Sequence, residues 1–157
     1  MLLFSERARD WPAPYFELPS WQGAVVRRSD YRDRCNLVLV FCSAGETGPE
    51  AATLAARKED LAAEEGEILW IVRDHGSAGK LAARIGSTMP ILIDESGRVR
   101  DSYLSLLPAG DLHPSFVMLL DRYGAPVAVW WGEALNSSQL GDEILAQLQM
   151  LQVECPE

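Results

Sequence analysis

Three cysteines and two histidines are the side chains here that could serve as nucleophiles, redox centres or soft metal ligands. Cys35, Cys42 and Cys155 form an odd, sparse set without a Cys-x-x-Cys pair, which predicts reduced thiols in a cytoplasm rather than a disulfide framework. His75 stands beside Asp74, and His113 follows Asp111 on a separate loop. Nothing here has zinc-type spacing, so neither a metal nor another cofactor is expected. The stretch F-C-S-A-G-E-T-G-P-E, residues 41–50, joins an apolar run to helix-forming sequence, a place where α/β folds commonly keep their chemistry. Its Gly45-Glu46-Thr47-Gly48 lacks the lysine of a phosphate loop, and Glu46 and Glu50 would repel phosphate. A thiol catalyst in this stretch could only be Cys42, which ends an apolar run where free cysteine usually behaves as a small hydrophobe.

The elements around this stretch follow from periodicity and punctuation. Gln22-Gly23 reads as a hairpin turn leading into Ala24-Val25-Val26. Asn36 to Cys42 is a continuous apolar run, the pattern of a strand covered on both faces. Pro49 suits a first helical turn, Glu50 to Glu65 reads as one helix, and Gly66 reads as its stop. Glu67 to Arg73 is a second buried strand, Ser77 to Ile85 a short helix closed by Gly86, and Pro90 to Asp94 a third strand. Phe116 to Leu120 and Pro126 to Trp131 are strands joined by the turn Asp121-Arg122-Tyr123-Gly124. Trp130 and Trp131 must point to opposite faces of the last strand, one into the core and the other toward the final helix or an interface. Ser138 to about Val153 is amphipathic and closes the pattern. The acidic residues 59, 60, 64, 65 and 67 read as a solvated helix end. Strands alternating with helices predict an α/β fold with a central mixed sheet of about five strands and helices on both faces. A length of 157 residues fits a single domain over 1–157.

Composition narrows the partners. A formal net charge of −9 opposes phosphate backbones and anionic lipid surfaces, which argues against nucleic acid and membrane. The four apolar residues that open the chain are too few for a signal-peptide core.

Several stretches, in this order and spacing, resemble the thioredoxin-fold redoxins, nearest to the peroxiredoxins of the alkyl hydroperoxide reductase and thiol-specific antioxidant family. Ala13-Pro14-Tyr15-Phe16-Glu17-Leu18-Pro19 is similar to that family's entry segment, and Leu37 to Phe41 to the strand leading to its active site. Pro90 to Gly97 and Met118 to Gly124 resemble its later strand-turn units. The resemblance implies a thioredoxin-like fold and, by family, an antioxidant oxidoreductase. The family motif Pro-x-x-x-Thr-x-x-Cys falls on Ser43, Thr47 and Glu50, so of its three residues only the threonine is kept. Against the thioredoxin Cys-Gly-Pro-Cys, the text is Thr47-Gly48-Pro49-Glu50. Where the resemblance implies an activating arginine, the chain has Ser115 and Phe116, and Pro114 sits close to the position of the fold's cis-proline.

Ser43, Thr47, Gly48, Pro49, Glu50 and Pro114 are therefore the expected equivalent of the family's active-site loop, with no catalytic residue of the family mechanism among them. A carboxylate at a helix start is electrostatically comfortable, but it cannot become a sulfenate or a disulfide. The expected function is binding, chaperone-like or regulatory, directed at an unidentified protein partner or client, with a homodimer left open. The alternative is a divergent thiol-dependent oxidoreductase using Cys42. The turn at Thr47–Glu50 is expected beside His113-Pro114, and Cys35 and Cys42, at opposite ends of one strand, are expected not to pair.

Overall fold

In the computed structural model, which describes residues 1–43, 51–107 and 115–154, the apolar runs assemble into one six-stranded sheet. Its strands are β1 (Leu2–Leu3), β4 (Asn36–Phe41), β5 (Gly66–Val72), β6 (Ile91–Ile93), β7 (Phe116–Leu120) and β8 (Pro126–Trp131), in the spatial order β1-β8-β7-β4-β5-β6. Strands β4, β5 and β6 run parallel, whereas β7 is antiparallel to β4 and β8. β2 (Glu17–Pro19) and β3 (Val25–Arg27) make a separate hairpin, as the Gln22-Gly23 turn predicts. That hairpin is fastened to the β6 edge by Gln22, whose amide donates to Met89 O at 2.7 Å and accepts from Ile91 N–H at 3.3 Å.

Every residue of β4 is buried, so its side chains feed two separate cores in alternation. Val38, Val40 and Cys42 pack with Trp70, Val117 and Trp130 on one face. That face is covered by α1 (Ala51–Ala55), α2 (Lys58–Ala63), α3 (His75–Ile85) and α5 (Leu140–Glu154). Leu37, Leu39 and Phe41 pack on the other face with Phe116 and with Tyr103 of α4 (Arg98–Leu104). Phe41 stacks on Phe116 with centroids 4.5 Å apart, and the Tyr103 hydroxyl donates to Pro14 O, which ties the entry segment over this face. Helices thus lie on both faces. Among the described residues, none is long and apolar enough to cross a membrane.

Four differences from the expected elements have physical causes. β1 adds a sixth strand, since two residues are too few to show a period but enough to pair with Ala128 and Val129. The helix expected over Glu50–Glu65 is broken at 56–57, where Arg57 turns out to pair with Asp60 at 3.0 Å and with Asp142 of α5 at 2.7 Å. Gly66 is not the helix stop: Glu65 takes the left-handed turn at φ 58°, and Gly66 opens β5. α4 has no counterpart in the expected elements; it carries three charged residues in seven and buries only Tyr103.

Gly66 is needed for another reason. A Cβ there would come within 2.5 Å of Leu148 Cδ1 and 3.1 Å of the Leu61 carbonyl oxygen. Gly66→Ala is expected to destabilise the fold by about 1–3 kcal/mol through overpacking. Urea denaturation measures this, and an unchanged midpoint would mean that α5 is not seated against Gly66.

Candidate functional site at the end of the parallel strands

The stretch singled out in the sequence leaves β4 at its carboxyl end, between β5 and β7, where α/β sheets place their ligands. Cys42 is still in the sheet's grip. Its N–H donates to Ile71 O at 3.0 Å, and its side chain points into the core beneath the helices, 4 % exposed. Burial alone pushes the thiol up to about 12. At pH 7 the thiol form is therefore strongly favoured over the thiolate. Cys35 enters the same strand from the far end and is half-buried. Burial first, then the Glu67 carboxylate, raises it to about 11, with Sγ 3.7 Å from Glu67 Oε2. Both are free thiols, separated by the length of β4.

Ser43 is the next residue, and it is not alone. Its N–H donates to Ser115 Oγ at 3.1 Å, and the two hydroxyls lie 3.3 Å apart. Ser115 is 7 % exposed and immediately precedes β7, so the hydroxyl where the family resemblance implies an arginine is used to close the gap between β4 and β7. Thr47, Gly48, Pro49, Glu50 and Pro114 lie outside the described residues, as does the expected juxtaposition of the Thr47–Glu50 turn with His113-Pro114. Ser43 and Ser115 are the described residues that precede the first of those segments and follow the second. Both serines were legible in the sequence; their contact was not. Ser115→Ala is expected to cost about 1 kcal/mol by stranding a part-buried N–H. Faster hydrogen exchange at the Ser43 amide checks it.

The remaining candidates have structural work. Asp74 caps α3, accepting the Ser77 N–H at 2.7 Å, and this bond to the backbone lowers its carboxyl below the usual range. His75 is the first residue of that helix and is exposed. Among the described residues, no three His, Cys, Asp or Glu side chains gather as a metal would require. Trp130 and Trp131 do face opposite ways, but the core ring is the one that meets the final helix: Trp130 is fully buried and donates its Nε1–H to Glu143 of α5 at 2.9 Å, while Trp131 packs, half-buried, against the second core and not against α5.

A family model described as AhpC/TSA matches residues 10–124, nearly three-quarters of the chain. The chain belongs to the AhpC/TSA family. Solved structures share the fold at low identity. The peroxidoxin BcpB from Mycobacterium tuberculosis is 22 % identical with a TM-score of 0.70, over 89 % of this chain and 95 % of that one. A peroxiredoxin Q from Xanthomonas campestris is 18 % identical with a TM-score of 0.68, over 96 % of each. The mitochondrial 2-Cys peroxiredoxin of Plasmodium falciparum is 14 % identical with a TM-score of 0.69, over 91 % and 94 %. No curated protein sequence matches the chain. Of the two described cysteines, the one beside Ser43 is Cys42, and it is buried.

Proposed function

We propose that this AhpC/TSA family member acts in the cytoplasm by binding a protein partner or client, in a chaperone-like or regulatory role, without thiol peroxidase chemistry. The observation that carries the reading is Cys42, 4 % exposed and with its thiol held near 12. A peroxidatic cysteine must be a thiolate that peroxide can reach, and burial opposes both requirements. At the motif position where the family has its cysteine, the sequence has Glu50. A carboxylate cannot take the peroxide oxygen as a sulfenate and cannot close a disulfide. Cys35 offers no substitute, since burial and Glu67 favour its protonated form too.

The test is peroxide turnover with dithiothreitol as reductant. Wild type should consume hydrogen peroxide and cumene hydroperoxide no faster than a variant with Cys35, Cys42 and Cys155 all replaced by alanine. Turnover that disappears on Cys42→Ala would assign the chain instead to divergent thiol oxidoreductases.

A further inference from the structure

At the end of the sheet opposite Ser43, the β7–β8 turn packs against the 3-10 turn Arg28–Tyr31 that follows β3. Between them lies a shallow, open cleft whose wall carries three arginines, Arg28, Arg32 and Arg122, and one carboxylate, Asp121, beside Tyr31 and Cys35. Gly124, at φ 86°, makes the seat for Arg28, because any Cβ there would collide with its guanidinium. Arg28 and Arg32 form no ion pair among the described residues, and Arg28 Nε is buried without a hydrogen-bond partner. Three of the acids nearby have hydrogen-bond partners of their own. Asp121 Oδ1 accepts the Tyr123 and Ala125 N–H groups at 2.9 and 3.0 Å, Asp30 accepts Arg27 N–H at 3.0 Å, and Glu67 faces Cys35. In a chain of net charge −9, the cleft is a local reversal of sign.

Exposed aromatic rings flank it. Tyr15 is 54 % exposed with the Arg28 guanidinium 5.9 Å from its ring, and Tyr123 is 47 % exposed. Trp11, 74 % exposed, stands two residues before Ala13, whose N–H donates to Gly124 O at 2.7 Å. Arginine, tyrosine and tryptophan are the residue types that carry most binding energy at protein interfaces.

We propose that this cleft binds a carboxylate side chain from an acidic segment of a partner protein. Arg28 and Arg32 take the carboxylate, and Tyr15 and Tyr123 cover the residues beside it. A polypeptide source fits better than a free ion, because the exposed rings of Tyr15, Tyr123 and Trp11 offer contact area to a longer chain and none to a small anion. The proposal deepens the reading of the chain as a binding protein and rests on it. Peroxide turnover and peptide binding are separate readouts, so each can fail alone.

The test is nuclear magnetic resonance on the intact 15N-labelled protein, titrated with an acetylated, amidated (Glu-Asp) decapeptide at low salt. Saturable shifts are expected at Tyr15, at residues 28–35 and 121–124, and at the Arg28 Nε–H resonance. Arg32→Glu, an exposed change that leaves the fold intact, should weaken binding at least tenfold. Sodium acetate and inorganic phosphate should shift the same signals only weakly and without saturation. Absence of saturable shifts, shifts centred elsewhere, or undiminished binding by Arg32→Glu would overturn the proposal. Saturation by phosphate as tight as by the peptide would overturn the partner-protein source.

Discussion

Trp130→Ala is expected to lower the melting temperature by roughly 10 °C, a larger effect than Gly66→Ala or Ser115→Ala should have. The indole is fully buried between the sheet and α5, and its N–H satisfies Glu143 at 2.9 Å. Truncating a buried tryptophan costs about 3–5 kcal/mol through lost burial and the cavity left behind. The stranded Glu143 oxygen adds to this, because a part-buried carboxylate loses its donor. Trp130→Phe separates the two contributions. It keeps most of the apolar volume and loses the N–H, so it should cost only about 1–2 kcal/mol. Equal losses for both variants would mean that the hydrogen bond, not the packing, holds α5 to β8.

Alkaline pH should unfold the protein more steeply than its surface charge explains. Cys42 rises from 9.0 to about 12 on folding, Cys35 from 9.0 to about 11, and Tyr31 from 10.0 to about 12. Burial is the first cause in each case, and it also raises the Tyr103 hydroxyl. The folded state holds these protons more tightly than the unfolded chain. Their stabilisation is complete below about pH 9 and is lost as the pH rises toward 12. The buried Cys42 proton contributes a slope of about 1.4 kcal/mol per pH unit within its window, and the partly exposed Cys35 and Tyr31 protons contribute less because solvent screens them. Stability from urea titrations should therefore be level in this respect from pH 7 to 9 and then fall. Cys42→Ala should fall less steeply above pH 9, by roughly that one-proton slope. Parallel curves for wild type and Cys42→Ala would place Cys42 in contact with water.

The sheet was the most legible part of the molecule. Runs such as Asn36–Phe41 and Phe116–Leu120 are apolar at nearly every position, and their shortness and β-branched residues mark them as strands between two layers. The paired tryptophans carried their own geometry, because adjacent strand residues must face opposite ways. What escaped were features fixed by partners distant in sequence. The break at 56–57 places Arg57 against Asp142 of α5, and Gly66 lies under Leu148, neither of which local propensity can see. α4 escaped because it is short, carries three charges in seven residues and fully buries only Tyr103, with Val99 and Leu104 half-buried beside it. At the site, the burial of Cys42 follows from the run that precedes it. The Ser43–Ser115 contact joins residues 72 apart in the chain and needed the β4–β7 pairing to become visible.

The thiol nearest to the family's active-site position should do no redox chemistry, because it is buried and protonated. Native protein exposed to one equivalent of hydrogen peroxide at pH 7, trapped with a sulfenate-specific reagent and analysed by peptide mass spectrometry, tests this most directly. Cys42 is predicted to remain an unmodified thiol after minutes of exposure and to become reactive only when the chain is unfolded. Sulfenate or a mixed disulfide at Cys42 in the folded protein on that timescale would contradict it.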